Sequence, residues 1–276
     1  HKEYRRQRQM CIRDREWCVA SVQDEGMEFP ELAGWQWFFA LLAGVCVGVS
    51  KSGFSGVSLV TVTLMAQVFD PRASTGALLP LLIFGDVMAV AVYRQHAVWR
   101  HVLRMLPPSM IGVVAGYFLM RALPGARFGP VLGLVVFSMV LVHVVMRVRG
   151  REGRPVPDGV VFAWAMGVWG GLATMLANAA GPVMGLYLLA LRLPKYELVG
   201  TSAWFFLIIN VFKVPFSAGL GLINPASLSL DAMLVPLVVV GTFVGRWMVA
   251  RVPQQLFEVV LLVSAVLASA RLSGIL

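Results

Sequence analysis

Lys51, Asp86, Asn178, Asn210 and Lys213 interrupt apolar stretches of this 276-residue chain, and they are the side chains placed to do chemistry. Lys51 lies between Ser50 and Ser52 in a glycine-punctuated break, Gly48-Val-Ser-Lys-Ser-Gly-Phe-Ser-Gly56. A lysine in mid-membrane costs several kcal/mol unless it is paired or lines a cavity. The helix that follows the break would start near Ser55 and Gly56, offering free backbone N–H groups and the positive end of a dipole. Lys51, Ser52, Ser55 and Gly56 together make a candidate anion site. The alternative is a break at the membrane surface, with Lys51 snorkelling into water.

A second break, Asn178-Ala-Ala-Gly-Pro182, puts Asn178 opposite the region of Gly53. Asn178 could cap the next half-helix or hydrogen-bond a substrate oxygen. Asp86 and Asn210 occupy one position in two similar segments, whose stretches Gly76 to Tyr93 and Gly200 to Phe216 hold no other acid. A carboxylate there could carry a proton or pair with Lys51 or Lys213; a purely structural interhelical hydrogen bond is the other reading. Lys213 follows Asn210 by one helical turn and stands close to a segment end, where snorkelling is expected. Thr201, Ser202 and Trp204 could line a cavity, although Ser and Thr are also ordinary contact residues between membrane helices.

Enzyme and metal readings find less support. Gly53-Phe-Ser-Gly56 matches the pattern around the nucleophile of rhomboid proteases, with Ser55 as the nucleophile. Such a serine needs a base, and His143 is the histidine found inside an apolar segment. An aspartyl protease needs two acids, and Asn210 stands where the second would be. Cys11, Cys18 and Cys46 build neither a disulfide framework nor a zinc site. Nucleotide-loop and zincin motifs are missing, so no metal or cofactor is expected.

These residues sit in a chain that is 58% hydrophobic and 13% charged, too apolar for a soluble domain of its length. Ten apolar segments follow Trp35, at about 35–49, 56–69, 73–93, 105–121, 128–146, 160–177, 180–192, 196–216, 231–250 and 255–272. The fold class is therefore an all-α polytopic membrane protein. The segments form two copies of five, residues 27–150 and 151–276. Gly76 to Asp86 is answered by Gly200 to Asn210, and Pro108, Gly116, Pro124 and Phe128 by Pro236, Gly245, Pro253 and Phe257. The first two segments of each copy are short, about 20 Å at 1.5 Å per residue, and suggest broken or re-entrant hairpins. Duplication with matched interruptions points to a binding site between the repeats. Gly112, Gly116, Gly241 and Gly245 have the spacing that lets helices approach.

Arginines concentrate in Arg94 to Arg104 and Arg147 to Arg154, which assigns both loops to the cytoplasm. If every hairpin segment crosses, Arg192, Lys195, Arg246 and Arg251 also fall inside and the repeats are inverted; Arg121 and Arg127 oppose that scheme. If they do not each cross, each copy has four crossings and the copies are parallel. The inverted arrangement is favoured. The net charge of +9 marks cytoplasmic loops and not nucleic-acid binding. Residues 1–26 carry six basic and five acidic residues and no apolar run, and read as a tail or an upstream extension before Met27, without a cleavable signal pattern.

Four stretches together carry a resemblance: Gly48 to Gly56, Asn178-Ala-Ala-Gly-Pro-Val-Met-Gly-Leu-Tyr-Leu-Leu189, Gly200-Thr-Ser-Ala-Trp-Phe-Phe206 and Asn210-Val-Phe-Lys-Val-Pro215. In order and spacing the chain resembles the sulfite exporter TauE/SafE family of bacterial permeases, from Trp35 to about Leu272. The resemblance implies two related halves, each opening with a glycine-rich hairpin, and movement of sulfite, sulfonates or other organic anions. Where the family pattern has runs of glycine in both hairpins, this chain has Lys-Ser-Gly-Phe-Ser-Gly and Asn-Ala-Ala-Gly-Pro, which leaves the substrate open. The expectation is an inner-membrane, multi-pass permease whose partners are the lipid bilayer and a small anion, with protons as a candidate coupling ion. Its substrate site would comprise Lys51, Ser52, Ser55, Gly56, Asn178 and Thr201, with Asp86, Asn210 and Lys213 in coupling or ion pairing. An intramembrane serine protease and a membrane scaffold or assembly factor are the competing classes.

Overall fold

A computed structural model describes residues 32–54, 57–123, 159–191 and 193–251, with isolated positions between 128 and 145. The tail, the segments at 128–146 and 255–272 as wholes, Arg147 to Arg154, Ser55, Gly56 and His143 lie outside the described residues. The described chain is helical and contains no strand. In order it forms α1 (Gly34–Lys51), α2 (Val57–Val68), α3 (Pro71–Tyr93), a 3-10 turn (Arg94–His96), α4 (Trp99–Ala122), α5 (Val160–Ala177), α6 (Gly181–Ala190), α7 (Lys195–Gly219) and α8 (Pro225–Arg251). Five of these, α3, α4, α5, α7 and α8, contain stretches long and apolar enough to cross a membrane, so the protein is multi-pass.

Local chemistry sets the boundaries. Asp70 caps α3 by accepting from the Arg72 amide at 2.9 Å, with Pro71 in the first turn where its missing N–H costs nothing. The break after α1 needs glycine, because Gly53 has φ of 120°. The break after α5 uses Asn178 instead, in the left-handed conformation at φ 50°, the residue other than glycine that best tolerates it. The hairpins are less even than the sequence predicts. Helices α1 and α5 have 18 residues each, about 27 Å of rise and nearly a full crossing. Helices α2 and α6, with 12 and 10 residues, are half-length.

Helix packing follows a two-fold pattern. The first helix of each set lies against the fourth of the other, α1 on α8 and α5 on α4, while α3 and α7 pack on each other at the centre. Individual contacts repeat as well. Gly48 faces the Val238 carbonyl as Gly171 faces that of Ser109, and Gly241 faces the Val45 carbonyl as Gly112 faces that of Val168. Gly245 meets Ser52 as Gly116 meets Met175. At each crossing a side chain on the glycine would occupy space already held by backbone or side-chain atoms. The glycines read from sequence as permitting helix approach thus do so, and bring in Gly48 and Gly171 on the facing helices.

Because backbone cannot yield as a flexible side chain can, Gly112→Val and Gly171→Val are each expected to destabilise the protein by at least the ~1–3 kcal/mol typical of overpacking. Thermal unfolding in detergent should show a clear fall in midpoint for both. Gly34→Ala, at a position with open space around the new methyl, should leave it within a degree or two; an equal fall would contradict the assigned crossings.

Candidate anion site

The last turn of α1, the middle of α3, the end of α5 and the middle of α7 converge on one polar centre. Lys51 closes α1, and its Nζ lies 2.7 Å from Asp86 Oδ1 on α3. Asp86 is fully buried and Lys51 nearly so. The other carboxylate oxygen, Oδ2, accepts a hydrogen bond from Asn210 Nδ2 on α7 at 2.7 Å. Position 86 and its counterpart 210 therefore meet each other where α3 and α7 cross. The Lys51 ammonium also sits 4.8 Å above the centre of the Phe206 ring, a cation–π contact that partly replaces lost water.

A second cation lies close by. Lys213 is 1% exposed, and its Nζ donates to Asn178 Oδ1 and, at 3.3 Å, to Thr174 Oγ1. Both acceptors are neutral. Asn178 Nδ2 in turn donates to the Thr75 carbonyl at 2.7 Å, tying the end of α5 to the start of α3. The snorkelling predicted for Lys213 is corrected here, because its amine turns inward to the α5 break, where Asn178 and Thr174 supply the acceptors it needs. The role predicted for Asn178 changes too: it ends α5 as a left-handed C-cap, and both ends of its amide are held by protein groups. Its counterpart is also shifted. The matched contacts of Gly245 with Ser52 and of Gly116 with Met175 align Lys51 with Thr174 and Asn178 with Ser55, two residues beyond the region of Gly53.

Two small cavities adjoin this centre and share Ser50, Lys51 and Phe206. One, of about 20 Å³, is also lined by Ser58, Leu82, Thr174, Asn178, Gly181 and Asn210. The other, of about 30 Å³, includes Asp86, Gly53, Gly185 and Ser202, near the start of α7. Each has room for about one or two waters and no more. Lys51, Asp86, Asn178 and Asn210 are thus brought to one place, with Lys213 bonded to the wall of the smaller cavity.

Other predicted site residues stand elsewhere. Ser52 Oγ donates between the carbonyls of Gly48 and Thr242, at 3.1 and 3.0 Å, and fastens the end of α1 to α8. Thr201 accepts from the Val98 amide at 3.0 Å and anchors the approach to α4. Neither lines either of these two cavities. Trp204 packs against Trp99, with ring centres 5.1 Å apart and planes inclined at 46°. Ser55 and Gly56 lie outside the described residues. Sequence reasoning passed over Ser50, Thr174 and Phe206. A signal existed for two of them: Ser50 adjoins Lys51, and Phe206 ends one of the four family-like stretches. Thr174 becomes visible only once the copies are aligned by contact. Asp231, buried without a bonded partner on either carboxylate oxygen, lines neither cavity.

Removing one member of a buried ion pair leaves the other uncompensated in low dielectric. Lys51→Met and Asp86→Asn should each cost about 3–5 kcal/mol, and the double variant clearly less than their sum, with a coupling of about 1–3 kcal/mol. A double-mutant cycle on unfolding in micelles reads this directly; additive losses would show that the two charges do not stabilise each other.

A family model described as sulfite exporter TauE/SafE matches residues 40–272. No curated protein and no solved structure matches the chain. Given a match over nearly the whole chain and a bundle of membrane-spanning helices, the protein belongs to the sulfite exporter TauE/SafE family of membrane transporters.

Proposed function

We propose that the chain is a permease of the cell inner membrane that moves sulfite, an organosulfonate or a related small oxyanion by alternating access between two inverted repeats. One observation carries this reading: around the central cavities, two buried lysines face one carboxylate. The Lys51–Asp86 pair is close to neutral as a unit, whereas Lys213 is bonded only to neutral oxygens. A proton on Lys213 makes the centre one charge positive in low dielectric, an attraction that one anion would satisfy.

Lys51 lines both cavities, and Thr174 and Asn178, the partners of Lys213, line the smaller. An anion at Lys51 competes with Asp86 for the ammonium, and a carboxylate displaced from that cation binds a proton more readily. That exchange supplies a route for proton coupling. The cavities are too small for a sulfur atom with three oxygens, so substrate entry requires the helices around Lys51 and Phe206 to part. The two-fold contact pattern and the central α3–α7 crossing support a rocking of one set of helices against the other.

The test is uptake of radiolabelled sulfite and of a sulfonate by proteoliposomes carrying the full chain. Lys51→Ala and Lys213→Met should each reduce flux about 10- to 100-fold, the range for losing a hydrogen bond to a charged group. Reconstituted variants must first show wild-type melting behaviour in the absence of ligand or a defined loss of it. Unchanged flux in both variants would remove the anion-binding role of the two lysines.

A further inference from the structure

The amide of Asn210 has one end committed and one end open. Its Nδ2 donates to Asp86 Oδ2 at 2.7 Å, which fixes the orientation of the group, since the flipped amide would aim an oxygen at a carboxylate. The atom left over is Oδ1. It is buried, it has no hydrogen-bond partner, and its residue is 2% exposed. Asn210 lines the smaller cavity together with Lys51, Thr174 and Asn178. Asn178 differs, because both ends of its amide are engaged: its Oδ1 accepts from Lys213 and its Nδ2 donates to the Thr75 carbonyl. An amide oxygen can only accept a hydrogen, and a buried acceptor left without one is costly.

We infer that Asn210 Oδ1 accepts a hydroxyl hydrogen of the transported anion, so that the site distinguishes a singly protonated oxyanion from an anion carrying no O–H. This deepens the anion-transport reading and rests on it. The lysine side of the cavity supplies donors to the anion's oxygens, and Asn210 supplies the acceptor on the opposite count. An oxyanion with acceptors alone would satisfy the lysines and set its lone pairs against Oδ1. One with a hydroxyl satisfies both. Hydrogensulfite has the required chemistry, with one negative charge and one O–H. Methanesulfonate has the same charge but no O–H: its sulfur carries three unprotonated oxygens and a methyl group.

The two anions give the test. Affinities of the full chain in lipid nanodiscs are measured by calorimetry, at a pH where sulfite is the monoanion. Hydrogensulfite should bind about tenfold more tightly than methanesulfonate, the scale of one buried hydrogen bond left unmade. In Asn210→Leu the ratio should fall to about one; Asn210→Ala serves if the leucine variant does not fold. Equal affinities in the wild-type chain overturn the inference, as they would if a bound water satisfied Oδ1 with either ligand. A ratio that survives the substitution also overturns it. Both of those results leave the transport reading intact, whereas failure of the wild-type chain to bind either anion removes both.

Discussion

An ammonium group and a carboxylate cannot both remain charged in a hydrocarbon environment unless something holds them face to face. In this protein the Lys51–Asp86 pair sits among helices at the centre of the bundle, and the surrounding polar structure is organised around it. Asn210 occupies the second carboxylate oxygen, Phe206 covers the ammonium, and the end of α5 brings Asn178 and Thr174 to Lys213. Together these groups come from four helices. The polar centre therefore exists only when α1, α3, α5 and α7 are all in place.

What puts them in place is close approach of backbones. Lipid tails are as apolar as leucine, so membrane helices gain little by hiding apolar surface and rely on tight packing instead. Glycines at the α1–α8 and α4–α5 crossings bring main chain against main chain, and Ser52 adds a side-chain hydrogen bond to Thr242 at one of them. The short α2 and α6 are thereby placed beside two well-fastened crossings. Their breaks, at Gly53 and Asn178, bring Lys51 and Asn178 to the centre without requiring a polar group in the middle of a continuous helix.

Much of this architecture was legible in the residues. Hydropathy marked the described helices to within six positions, because long apolar runs have few other ways to satisfy their backbone in lipid. The pairing of Asp86 with Lys51 was one of two options open to a lone carboxylate, and charge complementarity alone suggested it. Other features depended on the third dimension. Lys213 stands near the end of an apolar segment, where the sequence points toward water; its inward turn depends on Asn178 and Thr174, which are far away in the chain. Thr201 and Ser52 looked equally suited to a substrate, since a hydroxyl has the same composition whether it faces a cavity or a carbonyl. The two-residue displacement of Asn178 relative to its counterpart is invisible to residue matching, because the hairpins share few identities.

Asp86 and Asn210, matched positions of two similar segments, meet in the fold, and that limits which residues the pair can be. Corresponding residues elsewhere are kept apart by the two-fold pattern, but those at the α3–α7 crossing touch each other. Two copies of aspartate there would set like charges in contact, and two copies of asparagine would leave Lys51 without its counter-ion. The central crossing can host a charge only when one copy gives up the residue that the other keeps. Asymmetry at that point is thus a condition for charge at the centre of a bundle whose helix contacts otherwise match in pairs.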